Sequence, residues 1–305
     1  MTARQKPSID NTLAGLSGVV ANLLLGASSL YWKLFAGVSP ATLLGYRILL
    51  SLVTLAGAML LLGKFDGFIR RLTWRNVAIH VSAAILVALN WVTFIWASIH
   101  GHVVESGLGY LIAPFVAIGF GAFALGDPMT LVRRCALSLI ALAVLTLIAR
   151  SGELSHWVYL VIGLTWGLYA CLKKLTTLDA FSGLLCETLV LSGVLGVALA
   201  FSSVDLRVTT NLSNGRTVAL LLCGFVSVLP LWLFSIAASR LPLSVMGFFQ
   251  FVLPTTQLFV ALAMYHQQIS VNTMACFATI WGALAVIIGH PLISSRLQSP
   301  RKGSA

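Results

Sequence analysis

Long apolar runs, interrupted by short polar stretches, set the pattern of this chain. A helix needs about 20 apolar residues to cross a hydrocarbon core. Ten runs reach or approach that length: 12–35, 39–62, 74–98, 103–124, 129–149, 155–173, 180–201, 215–238, 243–265 and 270–291. The connections are short and leave no room for a soluble domain. The most polar stretch, 202–216, reads as a loop. The first run is too long for a signal-peptide core and is expected to stay as a helix. Unbroken runs, rather than short alternating strands, argue against a membrane β-barrel. The expected class is an all-α polytopic membrane protein in contact with the lipid bilayer.

Composition narrows this further. Only 9% of the 305 residues are charged and 59% are hydrophobic, whereas a soluble domain carries about 25% charged residues. A soluble enzyme is therefore excluded. The formal charge of +11 comes from 19 Lys/Arg against 8 Asp/Glu. In a soluble domain that excess would suggest nucleic acid; in a membrane protein it reports cytoplasmic loops. With the N-terminus inside, the inner segments hold Arg4, Lys6, Lys64, Arg70, Arg71, Arg75, Arg133, Arg134, Lys173, Lys174, Arg240, Arg296, Arg301 and Lys302, fourteen in all. The outer set is four: Lys33, Arg150, Arg207 and Arg216. That bias fits ten spans with both termini cytoplasmic.

The chain also repeats itself. At a fixed offset of 140, Lys33 meets Lys173, Phe94 meets Phe234, Ala97 meets Ala237, Pro114 meets Pro254 and Asp127 meets Gln267. Five spans per half is odd, so residues 1–150 and 151–305 are expected to be inverted five-helix repeats. Such repeats give a secondary transporter two mirror-related states, with the substrate between them near the midplane.

The stretch Asn90-Trp91-x-x-Phe94-Ile95-Trp96-Ala97, then Glu105-Ser106-x-Leu108-Gly109-Tyr110-x-x-x-Pro114, resembles the RarD branch of the EamA group in the drug/metabolite transporter superfamily. So do Arg240-Leu241-x-x-Ser244-x-x-Gly247-Phe248-Phe249-Gln250-x-x-x-Pro254, Leu184-x-x-Glu187-Thr188 and Tyr46-Arg47. The resemblance implies a ten-helix inner-membrane permease, of a kind often labelled for chloramphenicol sensitivity or resistance. The chain departs from the pattern at the ends of spans four and nine, where a Gly-Glu pair is usual. Here they are Gly126-Asp127 and His266-Gln267, and Thr42 and Tyr46 replace the usual Glu and His.

Charges at membrane depth cost at least about 2.5–3.5 kcal/mol on insertion scales and need a partner, water or a role. Arg47 lies about 12 Å into span two and Glu187 about 10 Å into span seven, at 1.5 Å per residue. They share the repeat offset. Two readings stand: a central pair or cavity meeting substrate or protons, and a structural ion pair locking the halves. Glu105, beside His100 and His102, is placed either to accept a proton or simply to sit at a helix start, favoured by the dipole.

Asn90, Trp91 and Phe94 set an amide among rings, which suits a flat polar-aromatic ligand. Tyr110, Trp166, Tyr169, Phe248 and Gln250 are expected to complete that wall; lipid-facing aromatics are the alternative. Pro114, Pro230 and Pro254 interrupt backbone bonding within spans, as gates or as static bends. The five cysteines show no ligand spacing, and no metal or cofactor is expected. Gly15-Leu16-Ser17-Gly18 matches the short motif of intramembrane serine proteases, but no histidine on an apolar helix is well placed for it except His80, near a cytoplasmic end. No phosphate-binding P-loop occurs, so ATP drive is not expected. The expected function is a permease exporting a small amphipathic metabolite or drug, with proton coupling one option and facilitated exchange or uptake the alternative. An intramembrane enzyme or a non-transporting membrane partner is the remoter reading. Nothing in the chain sets an oligomeric state.

Overall fold

The computed structural model describes residues 9–150, 155–201, 206–208 and 212–297. Arg4, Lys6, Arg301, Lys302, much of the 202–216 loop and residues 151–154 after the expected half boundary lie outside them. The described residues are helical apart from turns and short links. The helices are α1 (Ile9–Lys33), α2 (Pro40–Leu61), α3 (Phe65–Arg71), α4 (Trp74–His100), α5 (Val103–Ala124) and α6 (Leu131–Arg150). They continue with α7 (His156–Leu175), α8 (Ala180–Ala200), α9 (Asn214–Arg240), α10 (Leu243–Phe249), α11 (Val252–Met264) and α12 (Val271–Leu297). Among the described residues nine segments are long and apolar enough to cross a membrane, α10 and α11 counting as one, and Val271–Ile287 is a shorter tenth. Most edges fall within three residues of the expected spans. The protein is a polytopic membrane protein of about ten helices.

Local chemistry fixes the edges. Ser39 caps α2 by accepting from the Thr42 amide, with Pro40 at the first helical position, where its missing N–H is no loss. Thr73 caps α4 through the Asn76 amide, and Asp179 caps α8 through the amides of Phe181 and Ser182. At the far end of α4, Gly101 takes φ 81°, a left-handed conformation that suits glycine and stops the helix.

Two elements differ from the expectation. The link 65–71 is a short helix, α3, which buries Phe68 and leaves Arg70 and Arg71 outside. The ninth span is broken into α10 and α11 at Gln250–Phe251. Pro254 has no N–H to offer the Gln250 carbonyl, and its ring crowds that position. The carbonyl instead accepts from the Leu253 amide at 3.2 Å. Pro114, by contrast, lies within a continuous α5.

Helix starts in the second half repeat those of the first: 40 and 180, 74 and 214, 103 and 243, 131 and 271. The pairings recur with the halves exchanged. α1 packs on α9 as α7 packs on α4, α2 on α9 as α8 on α4, and α1 on α11 as α7 on α5. α6 pairs with α12. Even the closing turns match. The Asp127 amide donates to the Gly121 carbonyl and the Gln267 amide to that of Ala261, with Gly126 at φ 68° and His266 at φ 50°.

The α5–α7 pairing is the most extensive, and small residues make it close. A Cβ on Gly163 would lie 2.7 Å from the Gly109 carbonyl oxygen, and one on Gly167 3.0 Å from that of Ala113. The larger core cluster fills the space among α1, α2, α4, α7, α8 and α9, and a smaller one joins α5, α6, α11 and α12. Outward faces carry exposed Phe123, Leu142, Val194 and Leu221, the surface that a bilayer would cover.

Candidate functional site

Two groups of interior polar residues border cavities that Trp91 lines in common. The first surrounds Arg47, contributed by α2 and only 4% exposed. Its guanidinium carbon stands 3.7 Å from the centre of the Trp91 ring and 5.2 Å from that of Trp32, a cation–π arrangement. Leu25, Ser28, Asn90, Phe94, Tyr110 and Trp166 line the same small cavity with Arg47 and Trp91. Its volume of about 10 Å³ leaves room for no more than about one water. Asn90 ties the wall together: its amide donates to the Ile162 carbonyl and to Thr165 Oγ1, both at 3.2 Å, and its Oδ1 accepts from the Tyr110 hydroxyl at 3.0 Å. The rings interlock, with Tyr110 edge-on to Phe94 and Trp166, both at 6.0 Å, and Trp166 stacked on Tyr169 at 5.4 Å.

The second group is centred on Glu187 of α8. Lys173 Nζ donates to its Oε1 at 2.9 Å and the Tyr169 hydroxyl to its Oε2 at 3.0 Å. His80 Nδ1 bonds Oε1 at 2.8 Å. An ionised carboxylate only accepts, so Nδ1 carries the proton in that bond. His80 Nε2 reaches Thr176 Oγ1 at 2.9 Å, and Asn76 extends the lacing through Thr177 Oγ1 and the Arg71 carbonyl. Glu187 also lines a second cavity of about 10 Å³ with Ser51, Leu55, Val87, Trp91 and Thr188.

The ion pair of Glu187 is thus with Lys173, not Arg47, whose Nε finds no hydrogen-bond partner among the described residues. Lys173 and His80 were missed as site residues. Lys173 stands at the apparent end of an apolar run and reads as a loop charge, yet it is 5% exposed. The signal for His80 was a histidine six residues inside an apolar helix.

Glu105 sits apart, 7% exposed at the start of α5, with His102 Nδ1 2.7 Å from its Oε1. Trp96 stacks between His100 at 4.7 Å and His102 at 5.0 Å. Phe248 packs against the smaller core cluster. Gln250 is buried at the α10–α11 break, both amide atoms without partners among the described residues. Neither lines the Arg47 cavity. Tyr169 reaches that cavity only through Trp166 and joins the Glu187 group.

Both ends of the bundle are closed by polar ties. At the end bearing α3, Asp127 Oδ2 accepts from the Ser244 amide at 2.8 Å and Lys174 Nζ donates to the Leu241 carbonyl at 2.8 Å. At the other, Lys33 Nζ donates to the Met264 carbonyl at 3.0 Å, and Gln267 Nε2 donates to that of Gly101. Outside the spans, burial raises the pKa of Asp179. The Ser182 hydroxyl, the Ser182 and Phe181 amides and the nearby Arg71 outweigh it and hold the carboxyl below its ordinary value.

Comparison with known proteins places this architecture. No family model matches the chain. An uncharacterized transporter of Pseudomonas aeruginosa is 33% identical over 273 residues, spanning 88% of this chain and 91% of its own. Protein RarD of Streptomyces exfoliatus is 30% identical over 95% of this chain and 92% of its own, and that of Escherichia coli 30% over 93% and 96%. The chain belongs to the RarD family of transporters. A protein of known crystal structure, 18% identical, superposes with a TM-score of 0.67 over 94% of this chain and 98% of its own, which shows the shared fold. Against the RarD pattern, the two closing turns explain one departure. Asp127 caps the start of α10 as an acceptor, whereas Gln267 donates to the Gly101 carbonyl at the start of α5. The uncharged residue thus keeps a polar tie at the opposite end, between the turn after α11 and the α4–α5 link.

Proposed function

We propose that this RarD-family transporter exports a small amphipathic metabolite or drug by alternating access. The substrate path runs between the Arg47 and Glu187 cavities, and Trp91 divides it. The observation that carries this reading is that Trp91 lines both cavities and bears Arg47 on its face. With room for about one water in each, and ties at both ends, the arrangement suits a closed state between two open ones. The repeat reading, residues 1–150 and 151–305 as inverted halves, is supported by the exchanged helix pairings. Asn90, Phe94, Tyr110 and Trp166 form the wall, while Glu187 and Glu105, each bonded to a histidine, are the carboxylates through which protons couple.

Vesicles holding the purified protein test this, with chloramphenicol as the probe. Wild-type vesicles are expected to exchange labelled chloramphenicol above protein-free controls and to concentrate it when a proton gradient is imposed. Trp91→Ala should weaken both assays through lost contact area. Glu105→Gln or Glu187→Gln should lose gradient-driven accumulation and keep exchange. Full accumulation in both carboxylate variants would remove the proton from the mechanism and leave facilitated exchange.

A further inference from the structure

The Arg47 cavity has too many donors. Arg47 Nε and Trp166 Nε1 are both buried without a hydrogen-bond partner among the described residues, and both residues line this one space. The Ser28 hydroxyl points its proton at the Leu25 carbonyl, 2.6 Å away, and Asn90 Oδ1 takes that of Tyr110; neither oxygen is a hydrogen-bond partner of Arg47 Nε or Trp166 Nε1. No carboxylate pairs with Arg47 among the described residues, and Glu187 is already held by Lys173, His80 and Tyr169. Packing accounts for one face of the guanidinium, which lies on Trp91, but supplies no acceptor for Nε. A buried donor left unmade is costly, and a cation at membrane depth more so. A ligand bound here must bring the missing acceptors and, with them, the missing negative charge.

We infer that the substrate carries a carboxylate, bound by Arg47 and Trp166, with its planar organic body among Phe94, Tyr110 and Trp166. A guanidinium receives a carboxylate through two parallel N–H···O bonds. The rings offer edges and faces to a flat body, and Asn90, fixed on three sides, keeps the wall in register. The cavity must widen to admit more than a water, which is the motion that alternating access supplies. This assignment of substrate class rests on the transport reading of the same cavity.

The test compares isosteric aromatic probes on purified full-length protein: benzoate and phenylacetate against benzamide and phenylacetamide. Affinity is read from tryptophan fluorescence in detergent, and exchange from counterflow in vesicles. The carboxylates should bind at least about ten-fold tighter than their amides. Arg47→Gln should bring that ratio to about one, and Arg47→Lys should keep part of it, because an ammonium gives charge without the fork. Trp166→Phe should weaken carboxylate binding a few-fold with less effect on the amides. Equal affinities for acid and amide overturn the inference. So does a preference that survives Arg47→Gln, or the absence of binding by either carboxylate. If Arg47→Gln does not fold, the wild-type ratio and Arg47→Lys decide. Vesicles that exchange chloramphenicol without preferring carboxylates would keep the transport reading and remove this one. Charge-selective binding with no exchange of any probe would remove the transport reading, and the substrate assignment with it, leaving Arg47 as a carboxylate-binding group only.

Discussion

Glu187 and Lys173 form a buried ion pair at 2.9 Å, with side chains 4% and 3% exposed. Replacing Glu187 by Gln keeps an amide for His80 and Tyr169 but strands the Lys173 ammonium. Breaking one side of a buried pair costs about 3–5 kcal/mol, or roughly two to three and a half decades in the unfolding equilibrium. Lys173→Met is expected to cost less, because Glu187 keeps its bonds from His80 and Tyr169. Combining Glu187→Gln with Lys173→Met removes both charges and should recover at least about 2 kcal/mol relative to the sum of the singles. The assay is reversible unfolding in mixed micelles, followed by tryptophan fluorescence, for the wild type, both singles and the double. Pairing Glu187→Gln with Arg47→Met is the control, expected to be additive within about 0.5 kcal/mol. An additive Lys173 cycle, or a strongly coupled Arg47 cycle, would refute the partner assignment.

Three further outcomes are expected. Asp179→Ala should destabilise by about 1 kcal/mol through loss of the α8 cap. Because the folded Asp179 pKa lies below its ordinary value, the stabilisation it gives is present above about pH 4 and lost as pH falls through the folded value; a pH series of melting curves for wild type and variant shows whether it is. Gly163→Ala places a methyl against the Gly109 carbonyl and should cost about 1–3 kcal/mol, while Gly196→Ala, which meets nothing within 4 Å, should be neutral in the same unfolding assay. Reporter fusions after residue 66 should read cytoplasmic and those after 101 external; the opposite pattern would invert the charge-based orientation.

Much of the fold lies in the apolar pattern, since a span is a local property of 20 consecutive residues. The apolar runs expected to start at 180, 215, 243 and 270 begin within one residue of α8, α9, α10 and α12. What the pattern hides is which polar side chain faces which. Arg47 and Glu187 occupy equivalent positions, and equivalence by repeat says nothing of contact. The α7–α8 turn, only four residues between Leu175 and Ala180, folds Lys173 back beside Glu187, a tertiary fact carried by no periodicity. α3 is seven residues long, too short for a hydrophobic face to stand out from a loop. Asn90 was legible as a buried amide. That its bonding is spent on Tyr110, Ile162 and Thr165 was not, so the unmet donors belong to Arg47 and Trp166.

The glycine-lined crossing of α5 and α7 carries a genetic consequence. α5 lies before residue 150 and α7 after it, so each side of that residue supplies one face of the interface, with Gly109 on α5 and Gly163 and Gly167 on α7 packed against the opposite helix. A chimera joining the first half of one relative to the second half of another would need both faces to come from matched parents, because a single added methyl meets a backbone carbonyl. Residues before and after 150 are therefore expected to recombine poorly between relatives that differ at this crossing.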